Sequence, residues 1–139
     1  MTLVLDASMA LSWAFERAEA GQRDRSERAL AVLEAGSALV PVLWHTEVSN
    51  ALLVGERRKL ITPAESQDFL VRLDRLSIAS DTAAPQIRRD LVMGIARQHG
   101  LTAYDACYLD LVMRAGGTLA TFDVQLARAA HAAGVAVFQ

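Results

Sequence analysis

Apolar and polar positions along this chain follow two alternating periods. Short apolar runs recur at LVL (3–5), ALVP (38–41), SIA (77–79), TLAT (118–121) and VAVF (135–138). Such brief runs, apolar toward both faces, predict strands of a parallel sheet that is covered on two sides. Between them lie longer stretches whose apolar residues fall three and four apart. Helices are expected over ASMALSWAF after Asp6, RSERALAVLEAG (25–36), Val42 to about Lys59, Thr62 to about Leu76, PQIRRDLVMGIARQHG ending at Gly100, 103–115, and DVQLARAAHAAG (123–134). The third of these should bury Leu43, Val48, Leu52 and Leu53. Thr62, Pro63 and Glu65 have the order of a capping box, and Gly36 and Gly100 read as stops. Alternation of this kind predicts one α/β/α domain over residues 1–139, with a central, mainly parallel sheet flanked by helices. No internal repeat or linker interrupts it.

Composition narrows the picture. With 53% hydrophobic residues in 139, the chain buries a core and is not disordered. No apolar run approaches the roughly 18 residues of a membrane span, and MTLVLDAS has none of the regions of a signal peptide, so a cytoplasmic location is expected. The single cysteine, Cys107, has no zinc-ligand spacing around it and reads as an inert core thiol. His45, His99 and His131 are scattered and read as surface or packing residues. The net charge of -2 conceals an imbalance: among the 14 basic residues only Lys59 is lysine. Arginine's planar fork suits phosphate oxygens.

Four acids change the reading. Asp6 directly follows the first strand and Asp123 stands two residues after TLAT, at the strand ends beyond which open α/β sheets bind ligands. Taken singly, each reads as a helix N-cap. Asp105 follows Thr102 by three residues, also a capping pattern, yet its neighbours are Ala103, Tyr104, Ala106 and Cys107. Glu47 lies one turn from Leu43 and Ala51, against an apolar stripe, where a carboxylate is costly unless a partner such as an arginine meets it.

Together the four can converge above one sheet edge. Crowded carboxylates repel and hold protons more tightly unless a cation is present. An all-oxygen set without His or Cys selects Mg²⁺ or Mn²⁺ over zinc, and such a centre activates water and clamps a phosphodiester. Setting these four aside leaves 12 of the 16 acidic residues against 14 basic ones, a balance that suits an RNA backbone. Asp110 lies about 140° further round the helix than Asp105 and reads instead as a helix-surface or salt-bridge residue.

VLDASMALSW (4–13), WHTEVSNALL (44–53), LTAYDACYLDLVMRAGG (101–117) and LATFDVQLARAA (119–130) resemble the motifs of PIN-domain ribonucleases, most closely the VapC toxins of toxin–antitoxin pairs. They occur in family order across almost the whole chain. The resemblance implies a PIN-like fold in which Asp6, Glu47, Asp105 and Asp123 bind Mg²⁺, with Mn²⁺ able to substitute, and drive endoribonuclease cleavage. It implies supporting roles for the hydroxyls of Ser8 and Thr121. It also implies a cognate small antitoxin protein, packed on an apolar groove near the N-terminal helices, and a homodimer. Trp13 and Phe15 read as core. Arg57, Arg58 and Lys59 suit a helix end, where cations meet the dipole. A phosphoreceiver domain would need paired acids after the first strand and a late lysine, and a dehalogenase-like phosphatase would need D-x-D. The chain has neither. An RNA-processing nuclease of the same fold without an antitoxin, and a non-catalytic RNA- or protein-binding module, remain open alternatives.

Overall fold

The first strand, β1 (Leu3–Leu5), has no exposed surface on any of its three residues. Burial of both faces is possible because β1 is the middle of a five-stranded, all-parallel sheet in the order β3-β2-β1-β4-β5. The other strands are β2 (Ala38–Val40), β3 (Ile78–Ser80), β4 (Thr118–Ala120) and β5 (Ala136–Val137). Leu3 is in register with Ala38 on one side and Thr118 on the other. The computed structural model describes residues 2–139.

Seven helices lie among the described residues: α1 (Ala7–Leu11), α2 (Ala20–Ala35), α3 (Leu43–Arg57), α4 (Pro63–Asp74), α5 (Pro85–His99), α6 (Ala103–Ala115) and α7 (Val124–Ala132). The α/β/α arrangement is the expected one, and every predicted strand and helix is present. The differences are at boundaries. The helix after Asp6 stops at Leu11 rather than at Phe15, and tight turns follow. Helix α2 starts five residues before Arg25. On α3 the buried residues are Trp44, Val48, Leu52 and Gly55, whereas Leu43 is half-buried and Leu53 is exposed. Leu53 directly follows Leu52, about 100° round the helix, and so turns away from the core.

Capping follows the sequence closely. Thr62 Oγ1 accepts from the Glu65 amide, and the Glu65 carboxylate accepts from the Thr62 amide, which closes the box at the start of α4. Gly100 and Gly116 take the left-handed conformation that ends α5 and α6. Gly55 makes room for a neighbour: a side chain there would meet the Phe15 ring at 2.6 Å and force it to shift. Leu109 and Val112 of α6 and Leu126 and Ala130 of α7 complete the core around β1 and β4. Trp13 and Phe15 pack against this core while partly exposed. No helix among the described residues is long and apolar enough to cross a membrane.

Candidate active site

After β1 the chain builds outward through β2 and β3, then returns to lay β4 on the other side of β1. The carboxyl ends of β1 and β4 therefore flank the switch point where such sheets form a crevice. Asp6 leaves β1 there, and Thr121 leaves β4. The Asp6 amide donates to the Ala120 carbonyl at 3.0 Å, extending the strand pairing by one residue.

Asp6 is almost fully buried and forms no side-chain capping bond to α1. Its Oδ2 instead accepts from Ser8 Oγ at 2.5 Å and Thr121 Oγ1 at 2.6 Å. Burial raises its pKa, the two hydroxyls oppose that, and the Asp123 charge adds to it. Thr121 also receives the Asp123 amide at 2.9 Å, and Ser8 Oγ receives the Phe122 amide at 2.9 Å. Two hydroxyls thus tie the ends of β1 and β4 together through one carboxylate.

Asp123 does cap its helix: Oδ1 accepts from the Leu126 amide at 2.9 Å. Its Oδ2 has no hydrogen-bond partner among the described residues. At α6 the cap is Thr102, whose hydroxyl accepts from the Asp105 amide at 3.1 Å. The Asp105 carboxylate takes no part in that cap. It is half-buried, and its pKa is pushed up to about 6, by desolvation first and then by the charges of Asp123 and Asp6.

Glu47 is also half-buried, and no arginine meets it. Its partner is the hydroxyl of Tyr108, which donates to Oε1 at 2.5 Å. Desolvation raises the Glu47 pKa, the tyrosine lowers it, and Asp6 and Asp105 raise it further. The charge of Asp123 thus acts on Asp6 and Asp105, that of Asp6 on Asp105 and Glu47, and that of Asp105 on Glu47. None of the four has an ion pair among the described residues.

The donor set fits a hard divalent cation: carboxylate oxygens only, mutually repelling, with oxygens left unpartnered. Among the described residues no three ligand side chains close into a metal-holding group.

Tyr108 went unrecognised in the sequence. Fully buried on α6, it lies three residues after Asp105 and so shares that helix face. A hydroxyl-tipped residue at that spacing within an apolar run was the available signal. Asp110 is ion-paired as one alternative had it, but it is not on the surface: it is 4% exposed. Arg88 Nη2 meets it at 2.6 Å and Arg114 Nη2 at 3.1 Å, while Arg114 also reaches Asp81 at 2.7 Å. Cys107 is half-buried rather than core. Burial raises its thiol pKa, assisted by the charges of Asp110, Glu47 and Asp81. His45 is exposed and shares a hydrogen bond with Ser80.

Residues 3–132 match the family model of the PIN domain, and the chain belongs to that family. Among individual relatives, it is 35% identical over 130 residues to Ribonuclease VapC3 of Pyrobaculum aerophilum, covering 91% of this chain and 93% of that one. Its fold is similar to that of PAE2754 from P. aerophilum (TM-score 0.69, 23% identity, 99% and 92% of the two chains). It is also similar to FitAcB from Neisseria gonorrhoeae (0.66, 18%, 100% and 97%). A third likeness is to VapBC2 from Rickettsia felis bound to a DNA fragment from their promoter (0.66, 16%, 99% and 97%).

Proposed function

We propose that this protein is a Mg²⁺-dependent endoribonuclease that acts as the toxin of a toxin–antitoxin pair. What supports this reading is that Asp6, Glu47, Asp105 and Asp123 lie close enough near the switch point of a PIN-family sheet to shift one another's protonation, with no ion pair to any of them among the described residues. The identity to Ribonuclease VapC3 supports RNA as the substrate and, with the VapC-like motifs, a small antitoxin protein as the partner.

In this reading the four acids hold Mg²⁺, or Mn²⁺ in its place. The bound ion supplies charge neutralisation and Lewis-acid activation for phosphodiester hydrolysis. The protein's own contribution is preorganisation. Ser8 and Thr121 fix the rotamer of Asp6, Tyr108 aims Glu47, and the Thr102 cap leaves the Asp105 carboxylate free. In the metal-free protein the Asp105 carboxyl has its pKa pushed up to about 6, so it exchanges its proton within reach of neutral pH.

Trp13, Leu30, Leu33, Phe69, Leu73 and Leu76 line an open groove of about 470 Å³, a fitting seat for an apolar antitoxin segment. A second apolar face of about 520 Å³, bounded by Val42, Met93 and Tyr104, suits a second copy of the chain in a homodimer.

Incubation with RNA and millimolar Mg²⁺ should yield internal cleavage that chelation stops and Mn²⁺ restores. A folded protein that cuts no RNA with either ion overturns the nuclease reading. Expression should arrest growth, and co-expression of the small protein encoded beside it should relieve the arrest. Harmless expression of an active enzyme would favour RNA processing without an antitoxin.

A further inference from the structure

Two arginines converge on one aromatic ring beside the acids. Arg17, in the loop between α1 and α2, sets its guanidinium carbon 4.4 Å from the centre of the Phe122 ring. Arg25, on the second turn of α2, sets its own at 4.5 Å from the same centre. Phe122 precedes Asp123 in sequence, and its amide donates to Ser8 Oγ, which in turn donates to Asp6. The cationic patch is thus anchored two hydrogen bonds away from the buried carboxylate.

The patch is also built in advance. Arg23 Nη1 donates to the carbonyls of Arg17 and Ala18, at 3.0 and 2.5 Å, and Arg17 Nε donates to Gln22 at 3.0 Å. These bonds hold the loop that presents Arg17. Both arginines are half-buried, and among the described residues neither has an ion pair. Of the acids near them in sequence, Glu16 is held by Arg23 and Asp24 by Arg28, while Glu19 and Glu27 form no ion pair with either arginine. Burial, then the like charges of Arg17 and Arg28, lower the Arg25 pKa. Two forked cations on one ring without a counter-charge repel each other until an anion arrives.

We propose that Arg17 and Arg25, held against the Phe122 ring, form a subsite for a backbone phosphate of single-stranded RNA next to the phosphodiester at the acids. This rests on the nuclease reading. A phosphodiester chain is favoured over an acidic peptide because Phe122, which carries the patch, lies between Thr121 and Asp123. A strand whose scissile phosphate lies at the acids therefore has a further phosphate to place beside it.

The test is fluorescence anisotropy with a labelled single-stranded RNA of about 12 nucleotides. The protein carries Asp105→Asn so that the RNA survives. Adding Arg17→Gln and Arg25→Gln should weaken binding about tenfold at 0.1 M salt, and flatten the slope of log affinity against log salt by about 0.7, the share of one phosphate on a single strand. The melting temperature should hold or rise, because a like-charge repulsion is removed. Arg17→Lys with Arg25→Lys should restore most of the slope. Unchanged affinity and slope in a folded Gln variant overturns the subsite and leaves the nuclease reading intact. An Asp105→Asn protein that binds no RNA, together with a wild type that cuts none, overturns both. If poly-glutamate binding is lost while RNA binding is unaltered, the patch belongs to an acidic protein partner and the subsite is overturned.

Discussion

Asp105 and Asp110 sit five residues apart on the same helix, and their surroundings are opposite. Asp110 is the more deeply buried, yet two arginines hold it from two helices, Arg88 on α5 and Arg114 on α6. Asp81, at the end of β3, joins that network, and Arg114 holds its pKa below the usual carboxylate range. Asp105 is half-buried, has no ion pair among the described residues, and lies within reach of the charges of Asp123 and Asp6. Burial alone therefore does not distinguish a structural acid from a functional one. The identity of the compensating charge does. A carboxylate whose counter-ion is part of the fold contributes to stability. One left to repel other carboxylates is a cost to the fold that a bound cation, or at lower pH a proton, removes.

The largest effect expected from this contrast is on activity. Asp6→Asn, Asp105→Asn and Asp123→Asn should each lower RNA cleavage at least a thousandfold, about 4 kcal/mol of transition-state stabilisation. Asp110→Asn should keep most of it. Single-turnover cleavage of one labelled RNA by all four variants decides the matter, and a dead Asp110 variant beside an active Asp105 variant would reverse the assignment.

Stability should show the reverse order. Asp110→Asn leaves Arg88 and Arg114 without their shared partner and should lower Tm by about 8 °C. Asp105→Asn, in metal-free buffer at pH 7, should raise Tm by about 3 °C, after allowance for solvent screening at a half-exposed site. Thermal melts of the two variants side by side provide the measurement.

A pH series sharpens the contrast further. The Asp105 carboxyl binds its proton more tightly folded than unfolded, so its contribution is fully present below about pH 4 and is lost as pH rises through about 6. Asp81 has the opposite sign: its contribution is present above the ordinary Asp pKa and is lost as pH falls through its lowered folded value. The chelated wild type should lose stability between pH 4 and 6, and Asp105→Asn should flatten that segment without altering the acid limb below it.

The smallest effect concerns Tyr108. Tyr108→Phe removes one hydroxyl and leaves the ring, so about 1 kcal/mol is at stake in aiming Glu47. Cleavage should fall about fivefold at limiting Mg²⁺ and recover as Mg²⁺ is raised, with little change in the RNA KM. In a Glu47→Gln background the same substitution should have no further effect. Additive losses would assign Tyr108 to packing only.

Local patterns determined much of this protein. Short doubly apolar runs with intervening helical spacing specify the parallel sheet, because such strands are stable only when covered on both faces. Thr62, Pro63 and Glu65 specify the start of α4, because capping needs only neighbours in sequence. The strand-end positions of Asp6 and Asp123 were legible for the same reason. Only the tertiary structure decided what each acid meets. It brings Ser8 and Thr121 together on Asp6 across 113 residues of chain, sets Tyr108 against Glu47, and supplies Arg88 to Asp110. It also places Arg17 and Arg25 on Phe122. Arg114 lies four residues after Asp110, so that half of its compensation was legible in the helix spacing. Arg88 comes from another helix. Charge compensation acts through space, so only the folded chain shows that no cation pairs with Asp105 among the described residues.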